Sequence, residues 1–272
     1  MDSISAPGMN NGYETGTGTA LEERPRSLGR VEQRLPVRGQ AAVIPVDPVE
    51  PRDAAEAINA ALIRAFDVVV ALVLLILLLP LIVVAAIVVR LDSPGPAFYR
   101  ATRVGYGGRI LSMVKFRKMH NDASGPSLTT DDDHRFTRVG RLYAKLKIDE
   151  IPQLWNVLKG DMSLVGPRPE TPEFVTLHSE EYRHVLTVRP GITGLSQIAF
   201  AEESRILDDD DPRGHYIERI LPQKVGLDVM YAQCRSVWLN LRILFWTAAA
   251  VLLRRPVAVN RATGRMNIRS RR

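Results

Sequence analysis

Cysteine is almost missing from this 272-residue chain: Cys234 stands alone, so no intrachain disulfide can form. A single thiol fits a reducing compartment. None of the five histidines, at 120, 134, 178, 184 and 215, has HExxH or paired Cys-His spacing, which argues against a zinc hydrolase. No GxxxxGKS or GxxxxGKT loop occurs, so no ATP-driven reaction is indicated. The most informative absence is of charge. Val68 to Val89, VVVALVLLILLLPLIVVAAIVV, is 22 residues without one ionisable side chain, which no water-soluble domain of this size needs. At about 1.5 Å per residue it extends about 33 Å, enough to cross the hydrocarbon of a bilayer once.

What is present is arranged around that run. Residues 1–53 are rich in Gly, Pro, Ser, Thr and charge with no sustained apolar period, so this leader is expected to be disordered. A signal peptide is not expected, because the run starts too late and is too long. Ala54 to Phe66, AAEAINAALIRAF, leads helix formers into the run, so one membrane helix is expected over 54–91. Pro80 lacks an N–H and clashes with the preceding turn, so a kink or break is expected near the middle. A sharp break would return the chain to its starting side. Arg64 precedes the run and Arg90, Arg100, Arg103 and Arg109 follow it, which places the C-terminal part in the cytoplasm and leaves span and hairpin both open.

Lys and Arg number 36 against 30 Asp and Glu, a formal +6, and seven arginines lie in the tail at 254–272. Beside a bilayer such a cluster is drawn to anionic lipids, a reading favoured over nucleic acid because the apolar run already fixes the chain at a membrane.

The segment 92–253 has room for one catalytic domain. After the DSPGP turn, Phe98 to Met119 reads as short strands about a Gly turn at Gly105 to Gly108. A small hairpin is expected. Asn121 to Asp133 is a polar loop, while Phe136 to Leu146, Ser179 to Leu186 and Leu221 to Ala232 read as helices. Ile151, Leu154, Trp155 and Leu158 recur at helical spacing. Val237 to Leu253 is apolar but short and contains Asn240 and Arg242, which favours an interfacial or core helix over a second span. The acidic runs Asp131 to Asp133 and Asp208 to Asp211 read as solvated loops.

Between Lys147 and Glu170, KIDEIPQLWNVLKGDMSLVGPRPE places acid and base beside an anion grip. Pro152 belongs in a helix's first turn, so Asp149 is expected at or near the N-cap, where free N–H groups attract negative charge and would attract a phosphate. Asp149 could attack phosphorus while Glu150 holds a divalent metal, or the reverse; a capping Asp with a dipole-complementing Glu fits the same residues. Arg168, between two prolines, is an extended guanidinium suited to phosphate, or to a carboxylate partner in a structural turn. Lys115, Arg117 and Lys118 form a second basic cluster, and Gly191 and Gly194 in RPGITGLSQI permit close backbone approach. Any metal would be held by oxygen, and magnesium with phosphate oxygens and one or two carboxylates suits the inventory.

KFRKM, the DEIPQLWNVLKGDMSLVGPRPE block and RPGITGLSQI, in that order behind a Pro-containing apolar helix, resemble the bacterial sugar transferase family. These are the monotopic polyprenyl-phosphate phosphoglycosyl transferases. The similarity runs from about Arg64 to Leu253. It implies an α/β, mostly helical fold: a re-entrant helix-break-helix, both ends cytoplasmic, then a small catalytic domain with interfacial helices and a β-hairpin. It also implies transfer of a sugar 1-phosphate from a UDP-sugar to undecaprenyl phosphate at the cytoplasmic face of the bacterial inner membrane, releasing UMP. By the same resemblance Asp149 is the nucleophile of a covalent phosphosugar intermediate and Glu150 its magnesium-associated partner. Lys115, Arg117 and Arg168 are then expected at phosphates, and Asp228 matches a functionally important acid. Anionic lipids are the further partner expected, nucleic acid is not, and a homodimer is compatible with the pattern. Members often carry Ser before the helix-breaking proline, where this chain has Leu79.

Overall fold

The computed structural model describes residues 43–47, 51–123, 125, 128–129, 133–201, 203–207, 211–253, 257–260 and 263–268. Most of the leader lies outside the described residues, as do six of the seven tail arginines. Where the leader is described, at 43–47, it packs: Ile44 is buried, and the Val43 N–H donates to the Gly108 carbonyl at 2.9 Å. Gly108 has a positive φ of 72°, and a Cβ there would overlap the Ile44 carbonyl.

Helix α1, Ala54–Asp92, has 39 residues and begins where the Asp53 carboxylate accepts from the Glu56 N–H at 2.8 Å. At helical rise it is about 58 Å long. Its middle exposes Val69, Val73, Ile76, Leu77 and Val84. Among the described residues it is the one helix long and apolar enough to cross a membrane. Of the kink or break expected at Pro80 no break is seen, because the helix continues through it. A proline removes one N–H and bends the ladder, whereas ending it would strand several more polar groups in an apolar segment.

Both halves of α1 grip the same body. Near its start, Asp67 accepts from the Ser163 hydroxyl at 2.7 Å and the Leu164 N–H at 3.0 Å. One turn earlier, Arg64 donates to the Val157 and Leu158 carbonyls. At the far end Tyr143 donates to the Ala85 carbonyl, and Arg117 donates to the carbonyls of Val89, Ser93 and Pro94. These carbonyls lie at and just past the end of α1, so Arg117 fastens that end to the domain.

Strands β1, Phe98–Val104, and β2, Ile110–Phe116, form the expected antiparallel hairpin, with Phe98 opposite Phe116 and Val104 opposite Ile110. Helix α2, Arg138–Leu146, is capped by Thr137 and ends at Lys147 in the left-handed region, φ 59°. A 3-10 turn, Ile148–Gln153, leads into α3, Leu154–Lys159, and then β3, Ser163–Val165. Helices α4, Pro172–Leu177, and α5, Ser179–Val185, precede β4, Gly191–Thr193, which pairs parallel with β3. Short helices α6, Leu195–Ala199, α7, Glu203–Ile206, and α8, Pro212–His215, lead through a π turn at Tyr216–Ile220 to α9, Leu221–Cys234, and α10, Val237–Leu253.

The tail is not wholly free chain. Val257–Val259 and Met266–Ile268 pair as a hairpin, β5 and β6, and bury Val257 and Met266 in the core with Leu195 and Ile198. The two acidic runs also do more than meet solvent: Asp133 pairs with Arg135, and Asp211 caps α8.

Candidate active site

Pro152 has no N–H to give the carbonyl of residue 148, so the chain after Lys147 closes in i→i+3 fashion. Asp149 therefore sits in the first turn of the 3-10 segment, near its N-cap Lys147 as expected, and five residues before α3 begins. Its side chain makes no cap bond. Asp149 is only 3 % exposed, and its Oδ1 has no hydrogen-bond partner.

Glu150 is bound from two directions. Lys115 Nζ lies 3.1 Å from Oε1, and Arg168 lies 3.7 Å from the same oxygen. Asn156, fully buried on α3, fixes the strand that carries Lys115: it accepts from the Val114 N–H at 2.9 Å and donates to the Ser112 carbonyl at 2.9 Å. Sequence reasoning missed Asn156, since its role needs β2 and α3 side by side. Lys115 and Arg117 share a strand parity but part company, because Arg117 is committed to the carbonyls at the end of α1. The structure thus brings together Asp149, Glu150, Lys115 and Arg168, and leaves Arg117 as a tie between α1 and the domain.

Backbone contact sets the Arg168 loop. The Gly166 N–H donates to Thr193 and the Gly191 N–H to Pro167, each at 2.9 Å. A Cβ on Gly191 would overlap the Gly166 nitrogen, so this approach requires glycine. The Arg168 side chain keeps about a third of its surface open at 35 %.

A second polar group lies beyond Arg168. Lys224 Nζ donates to Glu170 at 2.9 Å and Glu203 at 3.0 Å, and Tyr216 donates to Glu170 at 2.8 Å. Asp228, one turn along α9 from Lys224, is 2 % exposed with Oδ1 unpartnered. Burial pushes its carboxyl up to about 7, against smaller opposing effects from Ser196 and Lys224. Glu170, Lys224 and Tyr216 gave no sequence signal, being brought together only by tertiary folding.

The electrostatics separate the adjacent acids. Burial, then the neighbouring Glu150 charge, raises Asp149 above the usual carboxylate range. Burial alone would raise Glu150 too, but Lys115 and Arg168 outweigh it and hold Glu150 well below its ordinary value. Lys118 falls to about 8, chiefly by burial, with Asp149 as the strongest opposing charge. A carboxylate with an uncommitted oxygen, ringed by cations, can receive or attack a phosphoryl group. A hard divalent cation would find the uncommitted Asp149 oxygen there. Among the described residues no cluster of three or more acidic, His or Cys groups exists, so phosphate oxygens and water would complete its shell.

The family model described as bacterial sugar transferase matches residues 58–254. A UDP-glucose:undecaprenyl-phosphate glucose-1-phosphate transferase of Caulobacter vibrioides is 37 % identical over 85 % of this chain and 81 % of its own length. A UDP-N-acetylgalactosamine-undecaprenyl-phosphate N-acetylgalactosaminephosphotransferase of Aeromonas hydrophila is 39 % identical over 72 % of this chain, which spans 44 % of that relative. An undecaprenyl-phosphate glucose phosphotransferase of Komagataeibacter xylinus is 39 % identical over 68 % of this chain and 34 % of its own length. The chain thus spans less than half the length of the latter two.

Proposed function

The chain belongs to the bacterial sugar transferase family, and on that premise we propose that it transfers a sugar 1-phosphate from a UDP-sugar to undecaprenyl phosphate at the cytoplasmic face of a bacterial inner membrane. One observation carries the assignment of chemistry: the buried, unpartnered Asp149 oxygen stands beside a Glu150 that Lys115 and Arg168 already neutralise. In the first step an Asp149 oxygen attacks the sugar-bearing phosphorus of the donor. The bridging P–O bond breaks, and its electron pair leaves with UMP. In the second, a phosphate oxygen of undecaprenyl phosphate attacks the phosphorus of the Asp149 adduct, giving the lipid-linked diphosphosugar and restoring the carboxylate.

Lys115 and Arg168 offset charge on the donor phosphates, and Lys118 adds a third cation beside Asp149. Asp149 and Glu150 would hold magnesium, which when bound offsets the negative charge of the diphosphate. Arg117 has no part in phosphate binding in this scheme. Asp228 acts as a positioning residue, through the Glu170 and Lys224 group beside Arg168.

A re-entrant α1 is supported by the polar ties that hold its two halves to one domain, Asp67 at one end and Val89 at the other. Asn at position 149 tests the chemistry. The Asp149→Asn protein, purified folded from membranes, is expected to lose UMP release by more than a thousandfold across a panel of UDP-sugars with undecaprenyl phosphate and magnesium. Retained turnover would remove Asp149 as the nucleophile.

A further inference from the structure

Beneath the first turns of α1 lies a cavity of about 180 Å³, whose walls include Arg64 and Asp67 of α1, Arg189, Arg235 and Tyr106. None of Asp149, Glu150, Lys115 or Arg168 lines it. At about 30 Å³ per water-sized group it has room for about six, enough for a phosphate group with some of its solvent. Three guanidinium groups meet one carboxylate in this wall.

That carboxylate is already committed, because both Asp67 oxygens accept hydrogen bonds from Ser163 and Leu164. Arg64 and Arg189 are drawn to one place by the end of α3, where they donate to the carbonyls of Val157, Leu158 and Gly160. Like charges held so close repel, and an anion between them relieves that repulsion. Arg189 also lies over the Tyr106 ring at 5.4 Å, which fixes its plane. Arg235 is tied down only by its backbone, where its carbonyl accepts from Asn59 at 3.3 Å. Among the described residues its guanidinium has no hydrogen bond or ion pair.

Asp67 immediately precedes the uncharged run, so the cavity lies at the depth where α1 leaves its polar segment. We propose that this cavity is a binding site for a phosphate group, separate from the catalytic one, with Arg189 and Arg235 as its main ligands and Arg64 as a supporting charge. Two sources carry that chemistry, the headgroup of an anionic phospholipid and free phosphate. The site does not depend on the transferase reading.

The test uses the full chain in two arms. In the first, native mass spectrometry counts phosphatidylglycerol retained from nanodiscs of mixed phosphatidylglycerol and phosphatidylcholine. In the second, calorimetry in neutral detergent titrates inorganic phosphate. Arg235→Glu is the main variant, since it breaks no bond seen in the structure, and Arg189→Gln is the second. Binding in the lipid arm alone identifies a headgroup, and binding in the phosphate arm alone a soluble phosphate. In either case Arg235→Glu is expected to weaken it at least tenfold, while UMP release at saturating substrates stays within about twofold. No binding in either arm, or binding that Arg235→Glu leaves unchanged, overturns the site. Because binding is read apart from turnover, an inactive transferase with an intact anion site would be recognised as such.

Discussion

Asp149 and Lys118 are displaced in opposite directions, the carboxyl raised chiefly by burial and the ammonium lowered by burial to about 8. An attacking carboxylate must be ionised, so the rate is expected to climb as pH rises through an acid limb above the usual carboxylate range. A cation that offsets donor charge must be protonated, so the rate is expected to fall again as Lys118 loses its proton near pH 8. Lys118→Arg should move that alkaline limb up by at least one unit in a kcat/KM profile. A limb that does not move removes Lys118 from the reaction. Asp228 gives a second pH test. Its carboxyl binds a proton more tightly folded, at about 7, than the ordinary 3.8 of an exposed aspartate. The fold therefore loses stability as pH rises from about 4 to about 7, by about 2–4 kcal/mol. Asp228→Asn lacks that loss, so its melting temperature relative to the parent should be higher at pH 8 than at pH 5. The gathering of the acid pair with Lys115 and Arg168 was legible in the sequence, where their motifs were read as one site. Arg117, expected at phosphates by the resemblance, instead donates to carbonyls at the end of α1, a contact that local sequence does not announce. Glu170, Tyr216 and Lys224 were invisible, because residues so far apart become neighbours only when α9 packs.

At the scale of elements, periodicity and turn chemistry gave the hairpin of β1 and β2 and helices α5, α9 and α10 close to their observed limits. Two errors have one cause, a local rule met by a competing contact. Pro80 did not end α1, since the ladder around it persists, and Pro152 tightened a turn in place of opening an α-helix. The tail hairpin was hidden by arginines that drew attention from Val257 and Met266, which fill the core. Asp67 is the polar tie between α1 and β3, the strand that leads directly into the Arg168 loop. Asp67→Ala would leave the Ser163 hydroxyl and the Leu164 N–H buried without their acceptor, a loss of about 2–4 kcal/mol. Asp67→Asn keeps one acceptor oxygen and should lose less than half as much. Thermal unfolding in detergent reads both, and equal losses in the two variants would contradict this role.

Taken as a whole, the molecule pairs an exposed apolar helix with a domain whose charged site lies against β2 and the turn after α2. Ties at Asp67 and at Val89 hold both halves of α1 to that domain, as the proposed re-entrant insertion requires. Tags on the N- and C-termini are therefore expected to be labelled by an impermeant reagent from the same side of inverted vesicles. Labelling from opposite sides would make α1 a span. Whichever way α1 runs, the proposed chemistry depends on a carboxylate that would carry the phosphosugar between a soluble donor and a lipid acceptor. The direct measurement is to incubate the protein with a UDP-sugar labelled in its sugar phosphate, without acceptor, quench, and map the label by peptide mass spectrometry. The label is expected on Asp149 and should be discharged on adding undecaprenyl phosphate. Active protein with no adduct there, or with the label on another residue, would contradict the account.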